Sequence, residues 1–177
     1  RKTIVKQIQN IEAKVFCEQH HLAGWATASV CYGAFYKDEL VAVMTFAKPR
    51  YSKIAEYELV RYCSVGQVVG GAGKLFSRFC VDVKPNSVIS YADRCWSNGV
   101  LYDKLGFTDI TNEGNVGYFY ADRNKRYHRS SFTKKRLVGM GYPAKLTEEE
   151  IMLTRLNMHK VYDCGNYKFL WKQVDNK

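Results

Sequence analysis

The sequence predicts a mixed α/β fold, a central sheet with helices on its faces. Three observations predict it. The 177 residues are 46% hydrophobic and 14% aromatic, enough for one folded core and too apolar for a disordered chain. Two adjacent runs within ATASVCYGAFYKDELVAVMTFA read as paired strands around a short polar turn. A glycine-rich stretch then joins a third strand-like run to a helix-like one, and strands and helices alternate from there on.

Taken in order, residues 10–22 have helical spacing at Ile11, Val15, Phe16 and Leu22, with Asn10 as the cap. Residues 27–36 and 40–47 pair antiparallel through Lys37-Asp38-Glu39. Residues 56–65 form a third strand, with Glu56 and Glu58 on one face and Tyr57, Leu59 and Arg61 on the other. A basic amphipathic helix begins at Lys74 and ends near Pro85. Residues 87–92 are a short apolar strand, and residues 97–105 a second helix capped by Ser97 and stopped by Gly106. Residues 107–111 and 116–120 read as two strands around a Gly114-Asn115 turn.

From residue 122 the composition turns basic. A helix follows at LTEEEIMLTRL, with Thr147 and Glu150 at capping-box spacing. KVYDCGNYKFLWK closes the chain as a hairpin around Cys164-Gly165-Asn166. The expected division is a domain over 1–121 and a basic helix-hairpin extension over 122–177.

Lys and Arg number 27 against 17 Asp and Glu, a net charge of +10. Such a balance favours a polyanionic partner, nucleic acid first. No apolar run reaches the roughly 18–20 residues that span a bilayer, so no membrane partner is expected. The six cysteines are scattered without a CxxC pair. They read as reduced thiols of a cytoplasmic protein, with no metal site. The chain opens on Arg1 rather than Met, which suggests processing or a piece of a longer polypeptide.

The strand-to-helix turn carries the chemistry. Gln67, Gly70, Gly71, Ala72 and Gly73 place small residues at a helix N-terminus, where backbone N–H groups and the helix dipole can hold a pyrophosphate. The same glycines also suit a tight turn with no ligand. The turn is not a P-loop, because Leu75 follows Lys74 where a magnesium-binding hydroxyl belongs. Asp93 and Arg94 follow an apolar strand at its C-terminal end, where ligands of α/β sheets bind. Asp93 and Ser97 serve either an amine substrate or a helix cap.

The Gln-x-x-Gly-x-Ala turn, together with Leu101-Tyr102-Asp103-Lys104-Leu105-Gly106-Phe107, resembles the Gcn5-related N-acetyltransferase (GNAT) superfamily over roughly residues 3 to 120. The resemblance implies a mixed, mostly antiparallel sheet and acetyl-CoA or another acyl-CoA on Gln67–Gly73. It implies Tyr102 as the general acid for the departing thiolate and Glu58, or Glu56, as base. A neutral phenol suits the acid role; core packing is the alternative for Tyr102. The stretches VGGAGKLFSRF and NSVISYADRCWSNGVLYDKLGF resemble a phage-associated branch. That branch includes Mom-type DNA modification proteins, which alter the exocyclic amine of adenine. It also includes the GNAT-like domain fused to phage homing endonucleases, which IMLTRLNMHKVYDCGNYKFLW resembles.

This resemblance implies double-stranded DNA as partner in the cytoplasm of a phage-infected bacterium. Arg94, Arg123, Lys125, Arg126, Arg129, Lys134, Lys135 and Arg136 would meet its phosphates, with Tyr127 and Phe132 interleaved. A solvated charged helix face is the other reading of that segment. Two functions follow: an acyltransferase modifying a base amine through Asp93, Glu58, Ser97 and Tyr102, or a DNA-binding module of a nuclease without catalysis. No GIY-YIG, HNH or P-D-x-E-x-K pattern supplies a nuclease within the chain itself. A small-molecule or protein acetyltransferase is a third reading.

Overall fold

A computed structural model describes residues 2–112 and 116–173. The chain divides into two compact units. One comprises Arg1–Ala92, Trp96–Asn112 and Tyr167–Lys177; the other comprises Asp93–Cys95 and Glu113–Asn166. The second unit thus takes in Asp93–Cys95 as well as the later segment, and the chain returns to the first unit at Tyr167.

The first unit is built on a seven-stranded sheet. Its strands are β1 (Ile4–Gln7), β2 (Val30–Tyr36), β3 (Glu39–Ala47), β4 (Tyr57–Ser64), β5 (Ser87–Asp93), β6 (Thr108–Asp109) and β10 (Asn166–Lys172). Their order is β1-β2-β3-β4-β5-β10-β6. The first four run antiparallel to their neighbours, β4 and β5 are parallel, and β10 is antiparallel to β6. The β2–β3 hairpin forms as expected, with a tighter turn. Lys37 and Asp38 both take positive φ, the two-residue form that matches strand twist, and Glu39 already pairs with Tyr36.

Helices cover both faces. Helix α2 (Gly71–Val83) lays Leu75, Phe76 and Phe79 on Tyr32, Met44, Phe46 and Leu59. The Phe46 and Phe79 rings stack 3.6 Å apart. Helix α1 (Asn10–His20) packs Ala13, Phe16 and Cys17 with Cys31, Val43 and Cys63. Of the expected apolar positions only Phe16 is buried, since Ile11, Val15 and Leu22 are exposed. Nor is Asn10 the cap. Gln9 holds that position, its N–H donating to Glu12, while the Asn10 amide donates to the Ala28 carbonyl.

Helix α3 (Val100–Lys104) is shorter than expected and begins after Gly99, not Ser97. Gly99 takes φ +80°, and a Cβ there would meet Phe169 at 2.5 Å. Gly106, also at positive φ, ends the helix, and the Phe107 N–H closes the turn on the Tyr102 carbonyl.

The second unit holds a three-stranded sheet, β8-β7-β9 (Arg126–His128, Tyr118–Ala121, His159–Tyr162). Helices α4 (Lys134–Gly139) and α5 (Glu148–Arg155) pack Leu137, Ile151 and Met152 with Tyr120. Thr147 caps α5 with Glu150 as its partner, as the spacing predicts.

Two pairings differ from expectation. Residues 107–111 and 116–120 do not form one hairpin, because β6 joins the first sheet and β7 the second; the Gly114-Asn115 turn lies outside the described residues. The C-terminal run is not a hairpin either. β9 pairs with β7, while β10 lies between β5 and β6. Among the described residues no helix is long and apolar enough to cross a membrane.

Candidate active site

The sheet of the first unit opens beside β4. Parallel pairing with β5 covers Tyr57–Val88, Glu58–Ile89 and Leu59–Ser90, then stops. A bulge on the other side of β4 explains the local geometry. Thr45 pairs with Arg61 but Phe46 with Leu59, leaving Val60 as the extra residue. The bulge breaks the alternation expected for Tyr57, Leu59 and Arg61. Leu59 packs with Phe46 in the α2 core. Arg61 lies on the α1 face, its Nε donating to the Gly24 carbonyl and Nη1 to the Val60 carbonyl. Half-buried, it has its proton affinity lowered by desolvation and by nearby Arg50.

Tyr102 sits at the fork, only 9% exposed. Its ring stacks on Phe169 at 4.5 Å and meets Phe107 edge-on. Its hydroxyl is 3.1 Å from Ser90 Oγ, which is 2.9 Å from the Leu59 carbonyl. A carbonyl only accepts, so the Ser90 proton goes to Leu59 and the Tyr102 hydroxyl donates to Ser90. Burial raises the phenol's pKa, and the Ser90 contact and the Arg61 charge partly offset this. Tyr102 is thus packed in the core and, at the same time, presents a neutral O–H at the end of the β4–β5 ladder.

The glycine turn follows β4 and opens α2. Gly70, at φ +70°, is the N-cap, and Lys74 N–H donates to its carbonyl. Gly71 N–H closes a turn on the Val68 carbonyl, and a Cβ at Gly71 would meet Val68 at 2.8 Å. Gly73 faces open space. Among the described residues the Ala72 and Gly73 N–H groups have no acceptor, as expected in the first turn of a helix. No acidic side chain stands in that turn, and Gln67 is exposed beside it. The donor set fits a phosphate group. Lys74 is engaged elsewhere, its ammonium donating to the Thr3 carbonyl and hydroxyl.

Glu58 lies in β4, while Glu56, expected in the same strand, precedes it, and the two carboxylates have different settings. Glu58 is buried and accepts from the Arg50 guanidinium at 2.9 Å and from the Arg50 N–H at 3.0 Å. Glu56 accepts from the Asn86 N–H and amide, which ties it to the loop before β5 and away from the fork. Asp93 ends β5 in the second unit and accepts from the Cys95 N–H at 2.8 Å. Ser97 accepts from the Gly99 N–H. Both side chains shape the 93–99 loop, and neither is the N-cap of α3. Arg94 is exposed, its N–H donating to the Gly165 carbonyl.

The basic segment is not one helix face. It runs through a turn, β8, a 3-10 turn (Arg129–Phe132) and α4. Arg123, Lys125 and Lys135 are exposed. Arg126 lies over Phe119 and Arg129 over Tyr118. Arg136 donates to the Ser130 carbonyl. The Lys134 ammonium is covered by protein, which removes it from any phosphate contact at the surface. Among the described residues no cluster of His, Cys, Asp or Glu is arranged to hold a metal.

Ser90 beside Tyr102, Arg50 on Glu58 and Arg61 on β4 are neighbours that the sequence motifs do not mark. Ser90 is one of two serines in SVISYA, and Arg61 shares its strand with Glu58, so neither residue type alone marks the site.

No protein-family model matches the chain, and no curated protein matches it in sequence. Solved structures do. Ard1 from Thermoplasma volcanium superposes with a TM-score of 0.56 at 12% identity, over 99% of this chain and 100% of that one. An acetyltransferase from Bacillus subtilis in complex with CoA gives 0.52 at 13% identity, over 98% and 99%. A GNAT family acetyltransferase from Elizabethkingia anophelis with acetyl-CoA bound gives 0.53 at 11%, over 97% and 99%. At these identities the likeness is one of architecture, and the chain has the fold of the GNAT acetyltransferases.

Proposed function

We propose that this protein is an acyl-CoA-dependent N-acyltransferase whose acceptor is the exocyclic amine of a DNA base, of a kind carried by phages and working in the infected bacterial cytoplasm. The observation that carries the acyltransferase part is the sequence of features along β4: a bulge, a ladder that stops at Leu59–Ser90, a phenol at that point, and a glycine turn with unpaired N–H groups. Structural neighbours with CoA or acetyl-CoA bound support acyl-CoA as the donor. The net charge of +10 and the exposed Arg123, Lys125 and Lys135 support a nucleic-acid acceptor.

Acyl-CoA would supply the acyl group activated as a thioester. Toward it, the Ala72 and Gly73 N–H groups would hold the pyrophosphate at the start of α2. The amine nitrogen attacks the acyl carbon, an N–C bond replaces the C–S bond, and Tyr102 gives its hydroxyl proton to the departing sulfur. A carboxylate takes the proton that the amine loses; Glu58 and Asp93 are the candidates. Base chemistry on a duplex requires the base to leave the stack.

One observation favours the non-catalytic alternative, a DNA-binding module of a nuclease: both Glu58 oxygens already accept from Arg50.

Calorimetric titration with acetyl-CoA tests the reading, using wild type and Gly73→Glu. Gly73 is preferable to Gly71 because its Cβ direction is open, so the charge acts without displacing Val68. Micromolar binding by wild type, weakened at least tenfold by Gly73→Glu, is expected. No binding by wild type would sink the acyltransferase reading and leave the binding-module one.

A further inference from the structure

The second unit carries a sheet face that its own core does not use. In β7, Tyr120 is buried and Tyr118 packs beside it against Leu137, Ile151 and Met152. Strand side chains alternate, so Phe119 and Ala121 point to the opposite face. Register sets Phe119 between His128 of β8 and Val161 of β9, and Ala121 between Arg126 and His159. Arg126, His128 and His159 are exposed, Val161 is 43% exposed, and Phe119 is half-buried among them. The Arg126 guanidinium lies 5.5 Å from the Phe119 ring centre, and the His128 ring stands edge-on at 5.9 Å.

The chemistry of this face is narrow. No Asp or Glu occurs in the three strands. The β7–β8 turn adds exposed Arg123 and Lys125, while Asp122 there accepts the Asn124 and Lys125 N–H groups. Asp163, just beyond β9, accepts the Gly117 and Gly165 N–H groups. The face is thus one aromatic ring rimmed by groups that are cationic or able to become so, on a chain of net charge +10. A base stacks on such a ring while the neighbouring cations meet phosphates. Duplex DNA buries its base faces, and its major groove admits a helix or a two-stranded ribbon, not a three-stranded sheet face.

We propose that the open face of β8-β7-β9 binds an unpaired nucleic-acid strand, with Phe119 as the stacking platform and Arg126 as a phosphate contact. The proposal rests on the DNA part of the functional reading above and sharpens it: the strand is held unpaired, and by a sheet face rather than by the run from Arg123 to Arg136 as a whole.

The test is fluorescence anisotropy on the full chain with a fluorescein-labelled dT20 strand and a 20-base-pair duplex, with acetyl-CoA calorimetry in parallel. Wild type is expected to bind dT20 more tightly than the duplex. Phe119→Ala and Phe119→Leu should both lose at least fivefold on dT20, the lower end for one stacked base. Phe119→Trp should retain wild-type affinity. Leucine keeps apolar bulk without a ring, so its loss reads stacking even if alanine perturbs folding. Arg126→Gln should lower the dT20 salt slope by about 0.7. A preference for duplex, or unchanged dT20 affinity in Phe119→Leu, overturns the proposal. Absence of binding to either DNA overturns it together with the DNA reading, while the acetyl-CoA isotherm reports separately on the acyltransferase.

Discussion

The Tyr102 hydroxyl lies 3.1 Å from Ser90 Oγ, at the last paired residue of the β4–β5 ladder. The contact joins α3 to the point where the sheet opens. It gives the phenol a partner that can accept while Tyr102 is protonated and can turn to donate once it is not. Tyr102→Phe is expected to lower kcat about a hundredfold or more while leaving the acetyl-CoA Kd within twofold.

Ser90 sets the pH range over which that acid works. Burial raises the Tyr102 pKa, and Ser90 opposes the rise. Ser90→Ala removes the opposition, so the phenol keeps its proton to higher pH. The alkaline limb of the kcat profile should move upward, and a downward shift would contradict the assigned role.

Gly99 supports the same tyrosine through the tip of the Phe169 ring. At φ +80°, with Phe169 2.5 Å from any added Cβ, alanine is strained twice. Gly99→Ala should destabilise the fold by about 1–2 kcal/mol from the backbone alone, seen as a lower Tm. Because Phe169 stacks on Tyr102, it should also reduce kcat more than acetyl-CoA affinity.

The α5 cap gives a stability effect with a defined pH sign. Hydrogen bonds from the Thr147 backbone, then its hydroxyl, hold the Glu150 carboxyl below its ordinary pKa. A depressed carboxylate contributes stability above its unfolded pKa and loses it as pH falls through the folded value. Denaturant titrations should therefore show Glu150→Gln less stable than wild type at pH 7 and the gap closing in acid. Thr147→Ala should cost about 1 kcal/mol.

The cysteines should separate by exposure. Cys95 and Cys164 are exposed, while Cys17, Cys31 and Cys63 are buried, and burial pushes Cys31 up to about 12. Brief iodoacetamide treatment at pH 8, read by mass spectrometry, should label Cys95 and Cys164 first. The buried three should react only in denaturant.

Local signals were legible where they agreed with the tertiary fold. The Lys37-Asp38 turn, the apolar stripe of α2, the Gly106 stop and the Thr147–Glu150 box all formed where their residue types placed them. In helix α1 two sets of residues share helical spacing: Phe16 lies against the sheet as its spacing implies, joined there by Ala13 and Cys17, while Ile11 and Val15 face out. Strand β1 was missed because its burial pattern has no alternation. The Cys164-Gly165-Asn166 segment looked like a hairpin turn, but long-range pairing with β6 took β10 elsewhere. At the site, the turn and Tyr102 were legible as motifs. Ser90 and Arg61 depend on where the ladder stops and where β4 bulges, and local pattern does not encode either.

The position of β10 has a consequence for how the molecule is made. This strand is the last of the described ones in the chain, yet it fills the gap between β5 and β6. During synthesis, the edge of β5 and the two residues of β6 wait for a partner until some sixty residues after β6 have been translated. A ribosome stalled before Asn166 would leave a nascent chain with an open sheet edge and Phe169 missing from behind Tyr102. Chaperone demand should therefore persist until residues 166–172 have emerged, and the candidate acid should reach its place only then.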